Sequence, residues 1–243
     1  MDVDQYPEGA VEGVQPESDA RKGAAPVSVL VEGCAETVEE CLAAKRGGAR
    51  RLELCDRLDV GGTTPSAALI QAVQSTVGLP IMAMVRPRGG SFVHTASELD
   101  RMRRDLDMVL SKDVDGVVIG ILDEKNRVDM KRTAEFVRLA GDTPVTFHKA
   151  FDVVGDLAAA LDDLMACGIK RLLTSGGKPT AAEGIDVLAM LVERSAGRVE
   201  IMAGGKVRGS NVRAIVDGAG LHEVHARTCP DESQIRAIVE ALA

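Results

Sequence analysis

The feature that most constrains the fold is an eightfold alternation of short apolar runs with longer stretches of helical periodicity. The runs are rich in Val, Ile, Leu and Met, which is typical of strands buried on both faces of a parallel sheet. They cover residues 28–32, 51–55, 80–86, 115–120, 144–148, 171–175, 199–203 and 222–226. A strand followed by a helix, eight times within residues 27–243, predicts a single-domain α/β fold, the closed (β/α)8 TIM barrel.

The stretches between the runs begin with helix-start signals. Three of them open on a capping box, in which a threonine is followed three positions later by a glutamate: Thr37 with Glu40, Thr95 with Glu98, and Thr180 with Glu183. Thr64 before Pro65 predicts a cap ahead of a first-turn proline. An open doubly wound sheet is the rival fold, but the glycine-rich first turn G-x-G-x-x-G that such sheets carry is missing.

Composition and charge exclude several classes of function. The 243 residues carry a net charge of −8 and only 2% aromatic side chains, which argues against binding to nucleic acids or anionic membranes. No apolar run reaches the roughly 18 residues of a membrane span, and the first residues do not resemble a signal peptide. Residues 1–26 are rich in Glu, Asp, Gly, Pro and Ala and are predicted to be a disordered leader.

The five cysteines are irregularly spaced, which argues against a disulfide scaffold. We therefore expect a cytoplasmic protein in a reducing compartment. Cys41 and Cys167 fall on helices as packing residues, and Cys229 lies in the loop after the last strand.

Polar residues concentrate where the predicted strands end. In TIM barrels this edge carries the functional site, so these residues are the candidates. They are Glu32, Cys34, Glu53, Cys55, Arg86, Arg88, His148, Asp152, Ser175, Gly204, Gly205 and His225.

The first two strands share the pattern Glu-x-Cys, at Glu32 with Cys34 and at Glu53 with Cys55. Residues two apart on a strand point to the same face, so the two thiols would lie about 5 Å apart on neighbouring strands if that face is the barrel interior. Soft thiolates at this separation suit Cu(I). The alternative is that both cysteines are small buried hydrophobes.

The end of the third strand reads Arg86-Pro87-Arg88-Gly89-Gly90, which is suited to an anion clamp. The pair Gly204-Gly205 after strand seven resembles the phosphate-binding turns of barrel enzymes, and Ser175 after strand six is a further candidate for the same anion site. The alternatives are that the arginines form a surface loop tied by salt bridges and that the glycines only turn the chain.

His148 ends the fifth strand and is a candidate acid or base, with Asp152 as the group that orients it. His225 ends the last strand in a similar position. Glu32 or Glu53 would be the partner acid or base. His94 and His222 are expected to face solvent.

The same strings, taken in order, resemble the CutC family, which is named for copper homeostasis. They are Glu53-Leu54-Cys55 with Gly61-Gly62-Thr63-Thr64-Pro65-Ser66, the Arg86–Gly90 string, Thr146-Phe147-His148-Lys149-Ala150-Phe151-Asp152, Leu173-Thr174-Ser175-Gly176, Met202-Ala203-Gly204-Gly205, and Glu223-Val224-His225. The likeness runs from about Val27 to Arg227. It departs from the family at Lys149, where arginine is usual, and at residues 227–231, where the family commonly has a longer insert.

The resemblance implies a TIM barrel, usually homo-oligomeric and cytoplasmic, that binds copper as Cu(I) through Cys34 and Cys55. Two hypotheses follow. The first is a copper-binding protein of copper homeostasis. The second is an enzyme for a small anionic, for instance phosphorylated, substrate that is held by Arg86 and Arg88 and receives or gives a proton at His148.

Overall fold

The closed eight-stranded barrel that the sequence predicts is confirmed. A computed structural model describes residues 29–227 and 231–243, so the predicted leader at 1–26 and Cys229 lie outside the described residues. Each strand pairs in parallel with its sequence neighbours, and β8 pairs with β1 to close the ring. The strands are β1 Leu30–Ala35, β2 Arg51–Leu54, β3 Ile81–Met84, β4 Gly116–Ile119, β5 Val145–Phe147, β6 Arg171–Thr174, β7 Glu200–Gly204 and β8 Glu223–Arg227.

An α-helix follows every strand and packs on the outside of the barrel. The helices are α1 Val38–Arg46, α2 Ala67–Thr76, α3 Ala96–Leu110, α4 Met130–Ala140, α5 Leu157–Cys167, α6 Ile185–Ser195, α7 Val212–Ala219 and α8 Ser233–Leu242. Two short 3-10 helices, Leu58–Val60 and Lys149–Val153, follow β2 and β5 at the carboxyl edge of the barrel. None of the helices in the described part of the chain is long and apolar enough to cross a bilayer.

The predicted helix starts are confirmed in part. The capping box of Thr95 and Glu98 is complete at α3. Thr37 caps α1, but the Glu40 carboxylate accepts from the Glu36 amide and not from that of Thr37. The predicted cap at Thr64 is wrong, because the Thr64 hydroxyl bonds to Arg86 and Asp105 and Ser66 caps α2 instead.

Thr180 and Glu183 form their bond one turn before the helix they were expected to start. The Glu183 amide donates to the Thr180 hydroxyl, yet α6 begins only at Ile185.

The ends of the observed strands differ from the ends of the predicted apolar runs by up to three residues. The largest shift matters for the site, because β1 continues to Ala35 and so includes Cys34.

The hydrophobic core has two parts. The larger one lies between the sheet and the helices and contains most of the buried aliphatic residues together with three phenylalanines, Phe136, Phe147 and Phe151. Cys41 packs here, and Cys167 is also buried, as predicted for both. The smaller part is inside the barrel and consists of Cys34, Cys55, Met82, Met84 and Val118. The barrel interior therefore contains a small apolar cluster of its own.

Below this small cluster, charged side chains fill the barrel interior. Arg51 donates to Glu32 at 2.5 Å and to Glu223 at 2.5 Å, and Arg171 donates to the same Glu223 carboxylate at 2.6 Å. His225 meets the other oxygen of Glu32 at 2.9 Å. The result is a chain of alternating charges, Arg171, Glu223, Arg51, Glu32 and His225, which we call the interior ion chain. It joins β1, β2, β6 and β8.

Candidate functional site

A cavity of about 410 Å³ opens at the carboxyl edge of the barrel. Its polar lining comes from Cys34, Glu53, Arg86, His148, Lys149, His225 and Arg227, and its apolar lining from Leu58, Val60, Met84, Phe92 and Leu173. Sites in this fold lie at this edge because every loop that follows a strand converges there. Five of the twelve candidates that the sequence singled out line this cavity: Cys34, Glu53, Arg86, His148 and His225.

The Cys34 thiol lines the cavity, and the fully buried Cys55 thiol lies next to it. The ligand atoms of Cys34, Glu53 and Cys55 are all within 4.8 Å of one another, and all three residues are buried. The register explains the contact: Cys34 on β1 is aligned with Glu53 on β2, and Cys55 follows two residues later on the same face. The expected juxtaposition of the two thiols is present.

Both thiols are held in the protonated form. A hydrogen bond with Cys55, together with burial, raises the pKa of Cys34 well above its usual value. The hydrogen bond from Cys34 lowers the pKa of Cys55, but burial and the neighbouring Glu53 carboxylate outweigh it, and the pKa of Cys55 is about 11. A metal ion that binds here must displace two protons.

His225 connects the thiols to the interior ion chain. Its Nδ1 bonds to Glu32, and its Nε2 lies 3.8 Å from the Glu53 carboxylate. Burial lowers the pKa of His225, but the Glu53 charge and hydrogen bonds with Cys34 and Glu32 dominate and raise it well above its usual value. The imidazole is therefore a cation held between two carboxylates.

The two glutamates differ in their environment. Burial opposes ionisation of Glu32, but bonds from His225 and the charge of Arg51 prevail and lower its pKa to about 2. Burial raises the pKa of Glu53, with the charge of His225 opposing that effect. Glu32 is a permanent anion of the ion chain, whereas Glu53 exchanges protons more readily.

Arg86 lies at the edge of the cavity and is 4% exposed. Its guanidinium donates to the carbonyl oxygens of Gly61 at 3.0 Å, Gly62 at 3.1 Å and Gly90 at 2.8 Å. Its Nε–H has no partner among the described residues. Burial, and then the charge of Arg88, lower the pKa of Arg86.

His148 is a buried neutral histidine. Its Nδ1 accepts from the Ala150 amide at 3.0 Å, so the proton of the neutral ring is on Nε2, which has no partner among the described residues. Burial, and then the charge of Arg86, lower the pKa of His148 to about 3. The ring therefore offers a hydrogen-bond donor rather than a base.

The expectation that Asp152 orients His148 is wrong. The Asp152 carboxylate accepts from Lys149 Nζ at 2.5 Å, from the Thr174 hydroxyl, and from the amides of Ser175 and Gly177 at 3.0 and 2.9 Å. Lys149 belongs to the same 3-10 helix as Asp152, but the other three donors lie at or just after the end of β6, so Asp152 ties the 3-10 helix after β5 to the neighbouring loop.

Four other candidates lie outside the cavity lining. Arg88 is paired with Glu98 at 2.6 Å and with backbone carbonyls of its own loop. The Ser175 hydroxyl is taken up by Lys149 and the Lys178 carbonyl. Gly204 is covered by Leu173, and the Gly205 carbonyl accepts from the Ala181 amide. None of the four enters the proposals below.

Comparison with known proteins decides the family. A model of the CutC family matches residues 29–229. The chain belongs to the CutC family. Among curated CutC relatives, the copper homeostasis protein cutC homolog of Homo sapiens is 39% identical over 204 residues, which is 84% of this chain and 75% of that protein. A family protein CutC of Xanthomonas axonopodis is 43% identical over 196 residues, 81% of this chain and 82% of that protein.

Solved structures agree with the assignment to CutC. A CutC crystal structure from Streptococcus agalactiae superposes with a TM-score of 0.76 at 34% identity, covering 81% of this chain and 97% of that one. Thiamine phosphate pyrophosphorylase from Pyrococcus furiosus superposes with a TM-score of 0.59 at 15% identity, covering 89% of this chain and 96% of that one. The second likeness shows the barrel fold alone.

Sequence reasoning missed several residues of this CutC cavity. Lys149 and Arg227 line the cavity, but in the sequence each stands close to a histidine that is the more obvious candidate. Phe92 lies in a loop that carries no motif. His94 was expected to face solvent, which is wrong: its side chain is fully buried, because the Phe92 carbonyl bonds to the Leu122 amide and draws this loop onto the end of β4. His222 is exposed, as expected.

Proposed function

We propose that this chain binds Cu(I) through Cys34 and Cys55 at the cavity and acts in copper homeostasis, as the names of its relatives indicate for them. The observation that carries the proposal is the buried thiol pair. The two sulfur atoms lie within 4.8 Å of each other, so an ion midway between them would be at most about 2.4 Å from each, close to a metal–thiolate bond of about 2.3 Å.

The surroundings of the thiols favour a soft ion. Met82 and Met84 pack in the same interior cluster as the two cysteines. Thiolate and thioether sulfur select Cu(I), whereas Zn²⁺ prefers four nitrogen, sulfur or oxygen ligands in a tetrahedron. A Cu(I) ion held by two thiolates leaves one net negative charge, and the His225 cation next to Cys34 stabilises that charge.

The test is a competitive Cu(I) titration of the full chain against a chromogenic chelator under anaerobic conditions. We expect one Cu(I) per wild-type chain, and a loss of affinity of at least about a hundredfold in the Cys34→Ser, Cys55→Ser double variant. Cys167→Ser is the matched control, because Cys167 lies away from the cavity and a serine hydroxyl can replace its bond to the Met130 carbonyl.

A double variant that binds Cu(I) as tightly as the wild type contradicts the proposal. Zn²⁺ that displaces Cu(I) from the wild-type chain at equal concentration contradicts the choice of metal. Circular dichroism of each variant separates loss of the site from loss of the fold.

Two further features belong to the same proposal. The thiols must stay reduced to bind Cu(I), so a cytoplasmic location is part of the proposal. The family resemblance implies a homo-oligomer, and light scattering coupled to size-exclusion chromatography measures the assembly directly. A monomer at micromolar concentration contradicts that part alone.

A further inference from the structure

The cavity contains a buried cation without a counterion. Among the described residues, every hydrogen bond from the Arg86 guanidinium goes to a backbone carbonyl, and no carboxylate pairs with it. Carbonyl dipoles satisfy its N–H groups but do not cancel its charge. Because a buried unpaired charge is costly, its presence at a cavity wall indicates an anion that is supplied from outside the chain.

Two donors without partners flank one aromatic ring in this wall. The Arg86 guanidinium lies 4.9 Å above the centre of the Phe92 ring, and the His148 ring lies 5.1 Å from it. Arg86 Nε and His148 Nε2 both lack a partner among the described residues. Buried donors in native proteins almost always have an acceptor, so these two unpaired N–H groups add to the positive potential behind this wall.

The charge of the lining is opposite to that of the protein. The chain carries a net charge of −8, yet the cavity is lined by Arg86, Lys149, Arg227 and the cationic His225, with Glu53 as the one carboxylate in its described lining. Lys149 is paired with Asp152, whereas the one carboxylate near Arg227 among the described residues is Glu36, at 3.7 Å, and Arg227 is largely in solvent. A cleft with this charge attracts anions.

The rest of the lining is apolar. Leu58, Val60, Met84, Phe92 and Leu173 face the cavity. A small inorganic anion would leave this surface uncovered, whereas a volume of about 410 Å³ is in the range of organic ligand sites. The lining therefore matches a molecule with a charged end and an apolar body.

We propose that this cavity binds a small organic monocarboxylate, with the carboxylate drawn to Arg86 and Arg227 and the apolar body against Phe92. The site goes beyond copper binding and uses no thiol. A carboxylate is favoured over a phosphate because none of the lining residues belongs to the first turn of an α-helix, the usual cradle for phosphate. Arginine side chains match the planar carboxylate instead.

The test is calorimetric titration of the copper-free full chain at low ionic strength with three ligands that share one body: 3-phenylpropanoate, 3-phenylpropan-1-ol and 3-phenylpropyl phosphate. We expect the carboxylate to bind at least about tenfold more tightly than the alcohol, since charge-assisted hydrogen bonds are lost in the alcohol. No binding at millimolar carboxylate, or equal binding of the alcohol, overturns the proposal. Tighter binding of the phosphate ester overturns the choice of carboxylate.

Two variants locate the binding site. Arg227→Gln removes a lining cation whose only described ion pair is weak, and we expect it to lower carboxylate affinity about three- to tenfold. Arg213→Gln removes an equal charge from α7, away from the cavity, and should leave the affinity unchanged. Equal effects of the two variants contradict this placement. Because copper is absent throughout, failure here leaves the Cu(I) proposal intact, and failure of the Cu(I) titration leaves this one intact.

Discussion

The protonation of Cys34 and Cys55 determines how Cu(I) binding depends on pH. Both thiols have a raised pKa, about 11 at Cys55 and well above the usual value at Cys34, so both are protonated at neutral pH. Since Cu(I) binds thiolates, each ion must release two protons, and the apparent affinity should rise by up to about 100-fold per pH unit between pH 6 and 8.

Chelator competition at several pH values, corrected for the chelator's own protonation, measures this slope. Proton release in a weakly buffered solution gives an independent count of about two per ion. An affinity that does not change between pH 6 and 8 would mean that the thiols are already ionised, contrary to their burial.

His225 should make folding stability depend on pH in the opposite direction. Its pKa in the folded chain is raised well above its ordinary value near 6.5. Its contribution is therefore fully present below pH 6.5 and is lost as the pH rises through the folded pKa. At pH 6 we expect the free energy of unfolding of His225→Gln to be roughly 3–5 kcal/mol below that of the wild type, because two carboxylates lose the cation that they share.

Urea denaturation of both proteins at pH 6, 7.5 and 9 tests this, and the difference should narrow as the pH rises. His222→Gln is the matched control, since His222 is exposed and should change the free energy of unfolding by less than about 0.5 kcal/mol at each pH. A difference that is the same at pH 6 and pH 9 would show that the pKa of His225 is not raised by folding.

At the scale of elements, the end of β4 determines where His148 can lie. A Cβ added to Gly120 would meet the His148 ring at 2.0 Å, so glycine is required there by close approach and not by backbone angle. We expect Gly120→Ala to lower the free energy of unfolding by roughly 3 kcal/mol, because the ring must leave its place between β4 and β5.

Gly155→Ala is the control for this prediction, because nothing lies within 4 Å of its added Cβ. It should change the free energy of unfolding by less than about 1 kcal/mol. Combining Gly120→Ala with His148→Ala should cost less than the sum of the two single changes, since the clash disappears with the ring. Additive costs would show that the ring already lies elsewhere.

The elements were predictable because strand and helix periodicity is local. Eight buried runs and eight helices follow from the spacing of apolar residues, and the Glu-x-Cys pairs followed from the two-residue repeat of a strand. Which side chains meet inside the barrel depends instead on the stagger between strands. No local pattern shows that Arg51 meets Glu223 from the far end of the chain, or that Asp152 turns toward β6 instead of His148.

For the whole molecule, the interior ion chain bears on how the barrel closes. Glu223 on β8 accepts from Arg51 on β2 and from Arg171 on β6, and Arg51 continues to Glu32 on β1. The interior ion chain thus crosses the boundary between β8 and β1, the strands whose pairing closes the barrel. Parallel hydrogen bonds close any such barrel, but these charges also fix the stagger that places Cys34 beside Glu53 and Cys55.

Removing the charge of Glu223 should therefore weaken the whole fold. We expect Glu223→Gln to lower the free energy of unfolding by roughly 3–5 kcal/mol, since Arg51 and Arg171 lose the carboxylate that they share inside the barrel. Because the network is buried, this loss should change little with added salt. Asp162→Asn, which breaks the exposed pair with Arg194, should cost far less, and less still in added salt. If Glu223→Gln costs no more than Asp162→Asn in urea denaturation, the ion chain does not stabilise the closed barrel, and backbone pairing with the outer apolar core would have to account for its stagger.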